Sequence, residues 1–137
     1  METLYKGLIA VPAGIAGFLF GGWSVLLTIL SVLVIIDYAS GLAAAGVNGE
    51  MKSKVGYIGI TRKVFIFVII VTVAHMIDLL LIKNGIEMGF LVMTVAIVFY
   101  CIDELISITE NAGKMGVYVP EAITKAIELL KQQNKSK

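Results

Sequence analysis

The sequence predicts an all-α fold. It reads as a polytopic membrane helical bundle with three transmembrane helices, a short N-terminal hydrophobic segment that is a candidate fourth, and a C-terminal amphipathic helix. Three observations predict it. The 137 residues are 58% hydrophobic and 15% charged, with a mean hydropathy of +0.94, whereas a soluble domain carries about 25% charge. A water-soluble core of this size cannot absorb so much apolar surface. The chain also holds three long apolar runs, and runs of roughly twenty residues read as membrane spans. Finally, each run carries acid: Asp37 at the end of the first, Asp78 in the second, Asp103 and Glu104 in the third. Acid inside a span is expensive, so it marks faces where helices meet or water enters.

The first apolar stretch, Gly7 to Ile36, has no charge and is too long for one crossing of a core about 30 Å thick. A break is expected at Gly21-Gly22-Trp23, with the Trp23 indole at the membrane–water boundary. That leaves a short segment over residues 4–20, containing Pro12, and a full span over residues 24–45. The short segment fits a span, a re-entrant piece or an interfacial helix. Lys6 before it imitates the charged start of a signal peptide, but the apolar stretch is too long and lacks a polar cleavage region, so it reads as retained membrane structure.

Residues 46–63 form a glycine-punctuated polar loop, where Lys52, Lys54, Arg62 and Lys63 against Glu50 give a net charge of +3. The next span covers residues 64–82. A short neutral turn over 83–87 leads to the last span, residues 88–108. A membrane-embedded unit over residues 1–112 is thus followed by a tail over 113–137. In the tail, Pro120 suits an early helix position, and Ile123, Ala126, Ile127 and Leu130 share one helical face. This helix suits docking on its own bundle or a partner, and equally a membrane surface rich in anionic lipid. The loop and the tail are the two basic stretches and lie two spans apart. Both therefore fall on the cytoplasmic side, which places the C-terminus inside.

Several constellations are candidates for function. Asp37, Ser40, Gly41, Ala44 and Ala45 form a small, polar helical stripe of the kind that lets helix backbones approach closely. It suits either a static bundle or a face for self-association or pore lining. Thr72, His75 and Asp78 share a face, and the His75–Asp78 spacing permits a hydrogen bond. Asp103, Ser107 and Glu110 share another face, with Glu104 and Asn111 adjoining, at the level where Arg62 and Lys63 enter their span. Asp103 or Glu104 is expected to pair with Arg62 or Lys63. One histidine without a second ligand cluster is poor grounds for a metal. Cys101 reads as a small buried hydrophobe, and the net charge of +1 excludes a strongly basic nucleic-acid binder. The residues hold no nucleophile–base pair and no phosphate-cradling loop, so neither an enzyme nor a cofactor is expected.

The order of motifs resembles the holin family of Gram-positive phage lysis and clostridial toxin release. Asp37-Tyr38-Ala39-Ser40-Gly41 is similar to its Asp-Tyr-x-Thr-Gly signature. Ser53, Gly56 and Gly59, followed by basic Lys63, resemble its Ser-x-x-Gly-x-x-Gly stretch. Residues 104–111, ending in Glu110-Asn111, resemble its Glu-x-x-Ser-Ile-x-Glu-Asn block, and Gly116 to Pro120 its Gly-Val-x-Ile-Pro turn. The resemblance covers residues 20–130. It implies a multi-pass protein of the bacterial host's cytoplasmic membrane that forms homo-oligomeric lesions and releases an endolysin or toxin without touching it. Some holins use two nearby starts, but the next methionine here is Met51, so a close dual start is not expected. The alternatives from the residues alone are a small membrane channel, an accessory subunit of a transport complex, or a structural membrane adaptor.

Overall fold

The computed structural model describes residues 1–49 and 53–135, with side-chain surroundings for all of these except residues 16 and 53–57. Glu50, Met51 and Lys52 of the basic loop and Lys137 of the tail lie outside the described residues. Ser53 and Gly56 are described in backbone only.

The described chain is helical, in the order α1 (Glu2–Phe20), α2 (Val25–Val47), α3 (Ser53–Lys83), α4 (Leu91–Lys114) and α5 (Glu121–Lys135). The first four are each long and apolar enough to cross a membrane, so the protein is a multi-pass helical membrane protein. The break after α1 falls where the glycines allow it. Gly21 and Gly22 have φ of 71° and 99°, a left-handed backbone that side chains with a Cβ rarely adopt. Ser24 then caps α2, accepting the Leu27 N–H at 3.3 Å, and the exposed Trp23 indole donates to Thr28 Oγ1 at 2.7 Å.

Two elements differ from the sequence expectation. Most of the polar loop is helix, because α3 begins at Ser53 and runs for about 46 Å at about 1.5 Å per residue. Lysine and arginine are good helix formers, and their charge had hidden that propensity. Lys63 therefore sits inside a helix. At the other end, α4 continues past Ile108 and through Gly113, one of two glycines whose placement reads as a break, to Lys114. The other, Gly116 at φ 77°, does end it. Val117 N–H bonds to Ala112 O at 2.9 Å and Gly116 N–H to Gly113 O at 3.0 Å, the paired bonds of a Schellman motif.

α2, α3 and α4 form the bundle, and α4 is its centre. It packs against both neighbours, while α2 and α3 scarcely meet. One apolar stripe from each helix makes the core: Leu27, Leu30 and Val34; Phe67, Val71 and Ala74; Met93, Ile97 and Cys101. Each stripe repeats every three or four residues, the period of one helix face. Between α2 and α3 an open apolar crevice of about 330 Å³ remains, lined in part by Phe20, Leu30, Val34, Phe67 and Val71. Among the described residues α1 packs mainly on α3, with Phe20 against the core, and the rest of it is exposed, so it stands outside the bundle. At about 28 Å it is just long enough to span. α5 touches only α4.

The α3–α4 hairpin is closed by Asp78. The residue preceding α4, Phe90, is left-handed (φ 57°) and supplies no side-chain cap. Asp78, reaching over from α3, accepts Val92 N–H at 3.1 Å and Met93 N–H at 2.8 Å. It thereby satisfies the donors that an N-cap side chain normally takes, in a residue only 2% exposed. The Phe90 ring stacks on His75, with ring centroids 5.7 Å apart. Asp78→Ala should lower the stability of the detergent-solubilised protein by about 2 kcal/mol, read as earlier thermal unfolding. Asp78→Asn, which keeps one acceptor, should lose less.

Candidate functional site: a buried charge cluster and an outward acidic face

α2, α3 and α4 each send one ionisable side chain to a common point. Lys63 Nζ lies 2.7 Å from Asp37 Oδ2 and 3.1 Å from Glu104 Oε1. The three arrive there by helix register. Asp37 continues the buried α2 stripe of Leu30 and Val34, Lys63 lies one turn before Phe67, and Glu104 follows Ile97 and Cys101. Lys63 keeps 31% of its side chain exposed while that of Glu104 is 0% exposed. The lysine thus reaches in from the surface, and the glutamate is sealed inside.

Asn111 completes the cluster. Its Nδ2 donates to Asp37 Oδ1 at 3.0 Å, to Asp37 O at 3.1 Å and to Ser40 Oγ at 3.0 Å. Ser40 Oγ in turn donates to Asp37 O at 3.1 Å. Gly41 faces Asn111, where an added Cβ would make an ordinary contact of 3.6 Å with Nδ2. Buried Ala44 continues the stripe. Asn48, which sequence reasoning missed, ties the ends of α2 and α4 by donating to Ala44 O at 3.0 Å and Lys114 O at 3.4 Å. The small polar stripe of α2 is therefore packed inside the single chain, against α4.

Electrostatically the cluster is incomplete. Two carboxylates meet one ammonium in a medium that stabilises lone charges poorly. Neither carboxylate oxygen of Glu104 has an aligned hydrogen bond, so its tie to Lys63 is ionic proximity alone. Such a site holds only while the three helices stay together.

The other acids of α4 point away. Asp103 and Glu110 are exposed and Ser107 is half-buried, forming an outward stripe one residue round from Glu104 and Asn111. Of the two expected acids it is Glu104 that pairs, and of the two expected bases Lys63; Asp103 and Arg62 are exposed. The expected His75–Asp78 bond does not form. Asp78 is occupied by the α4 backbone, and His75 Nδ1, like Thr72 Oγ1, is buried without a hydrogen-bond partner. His75 instead fills the space left by Gly21, where a Cβ would fall 2.8 Å from its Cε1. Half-buried Tyr38 adjoins Asp37, and Gly59 is exposed on α3 with open space around it. Gly116 forms the turn after α4, and Pro120 O caps α5 by accepting Thr124 N–H at 3.4 Å. Among the described residues no group of three or more His, Cys, Asp or Glu is placed to hold a metal ion.

Residues 14–132 match the model of the bacteriophage holin family. The chain belongs to that family. Holins are non-enzymatic membrane proteins. A protein of Bacillus phage phi105 described as a probable holin is 34% identical over 81% of this chain and 78% of its own. An uncharacterized protein of Halalkalibacterium halodurans is 56% identical over 96% of both chains. One from Clostridium perfringens is 35% identical over 88% of this chain and 85% of its own. No solved structure matches.

Within this holin, removing the shared cation strands both carboxylates. Lys63→Met should destabilise the bundle by about 3 kcal/mol, the lower end for breaking a buried pair, because Lys63 is partly exposed. The exchange variant Lys63→Glu with Glu104→Lys should recover much of the loss of either single change. Thermal unfolding in mild detergent checks both.

Proposed function

We propose that the chain accumulates in the bacterial cytoplasmic membrane as single bundles and then assembles with its own copies into lesions that release a cell-wall-degrading endolysin or a toxin. The observation that carries this reading is the outward face of α4. Asp103 lies about 18 Å from the start of that helix and about 17 Å from its end, yet is exposed. Level with Lys63, at the end of the apolar core, it faces lipid at a cost that reaches about 2.5–3.5 kcal/mol at the centre of a span. Contact with a neighbouring copy, or a hydrated lumen, removes that cost. Ser107 and Glu110 extend the same stripe.

The inner stripes serve the state before assembly. Asp37, Ser40, Gly41, Ala44 and Glu104 are turned inward around Lys63, and His75 and Asp78 hold the opposite end of the bundle. Parting the helices at Lys63 exposes these groups for re-use between copies. Assembly by mass action rises steeply with concentration, which gives a sharp onset. The basic stretches around Lys54 and in the tail support a cytoplasmic C-terminus. If α1 spans, the N-terminus joins it there.

Timed expression in a bacterium, with and without an endolysin, tests the reading through membrane potential and turbidity. The wild-type chain is expected to be harmless until a threshold and then to collapse the potential, with turbidity falling only when endolysin is present. A selective channel or transport subunit would conduct steadily without a threshold. Asp103→Leu should insert normally yet delay or abolish onset. If Asp37→Leu and Glu104→Leu both permeabilise on the wild-type schedule, the stripes play no part. A chain lacking residues 120–137 should still permeabilise, whereas an adaptor working through its tail would lose its role.

A further inference from the structure

α5 uses only one edge of its apolar arc against the bundle. With about 100° per residue, Ile123 and Leu130 lie about 40° and 60° to one side of Ile127, and Ala126, Ala122 and Leu129 continue the arc in that direction. Ile127 is buried on α4, and Asn134, close to it in angle, is half-buried. Beyond that edge Ile123, Leu130 and Leu129 are 47%, 44% and 66% exposed. Lys125 and Lys131 flank the arc on its two sides. Between residues 113 and 135 four lysines face two glutamates, a net charge of +2.

The position of the helix narrows what can cover this arc. Residues 115–120 separate α5 from the end of a membrane-spanning helix that it also touches, so it lies at the bilayer boundary. The connection carries Tyr118 and Val117, both exposed, and tyrosine is enriched at that boundary. A second copy of the tail would bring the same positive charge. Anionic headgroups bring the opposite one.

We propose that α5 is a lipid-surface helix. It docks on anionic phospholipid beside the C-terminal end of α4, with Ile123, Leu129 and Leu130 in the headgroup–acyl boundary and Lys125 and Lys131 at the phosphates. The inference is independent of the lytic reading, since docking is measured without lesion formation.

The test uses the full chain with Cys101→Ser and one new cysteine, Leu130→Cys or, on the polar arc, Glu128→Cys. Each carries an environment-sensitive fluorophore and is reconstituted in vesicles of phosphatidylcholine alone or with about a third phosphatidylglycerol. The label at position 130 is expected to shift to apolar emission, and to be quenched by a lipid-tethered quencher, in the anionic vesicles. High salt should reverse this. The label at 128 should remain aqueous in both. Lys125→Gln and Lys131→Gln should each lower the ratio of docked to undocked tail about five-fold. Ile123→Cys provides a second apolar reporter should the change at 130 perturb folding. Equal emission at 123 and 130 in the two vesicle types overturns the proposal. So does shielding that follows protein density and not lipid charge, which would mark a second copy as the occupant.

Discussion

In lipid the hydrophobic effect does not hold helices together, because acyl chains are as apolar as leucine. Close packing and a few polar contacts must do it. This chain places those contacts at the two ends of its bundle. At one end Lys63 of α3 lies between Asp37 of α2 and Glu104 of α4. At the other Asp78 of α3 takes two backbone donors of α4. The apolar core between them sets which face of each helix turns inward. The charged ends fix the register.

That division explains the layout. α4 is central because both clamps reach it, from α3 at each end and from α2 at one. Among the described residues α2 and α3 make few contacts, the lysine–aspartate pair among them, and a crevice opens between them further along. Among the described residues no polar contact ties α1 to the bundle. It is held at its end, where Phe20 packs on the core and Gly21, just beyond it, lies against His75, and the rest of its surface is exposed.

Much of this was legible in the sequence. The length of the uncharged stretch required a break, and Gly21-Gly22 are residues that can make one. The spacing of Asp37, Ser40, Gly41 and Ala44 marked out a packing face on α2 but not its partner, and within the single chain that face meets α4. An acid–base pair between α3 and α4, of Asp103 or Glu104 with Arg62 or Lys63, followed from equal depth. The choice of Glu104 over Asp103 did not, because adjacent residues differ by about 100° round a helix and only the packing of Ile97 and Cys101 selects the inner one. The start of α3 was hidden by charge, since lysines and arginines that favour helix also read as loop. The role of Asp78 was the least visible. Its partners are backbone N–H groups fourteen and fifteen residues away, and main-chain donors leave no mark in a sequence.

The two sets of acids in α4 make opposite demands on the same helix. Glu104 favours a bundle closed around Lys63, while Asp103 and Glu110 favour anything but lipid on the outer face. A single chain satisfies the first demand and not the second. Even the first is met imperfectly, because one ammonium serves two carboxylates and Glu104 lacks an aligned hydrogen bond. A bundle with complete internal pairing would have no reason to change partners. One without Lys63 would lose the contact that joins all three helices. The observed arrangement lies between these limits, as the proposed storage and reassembly would require.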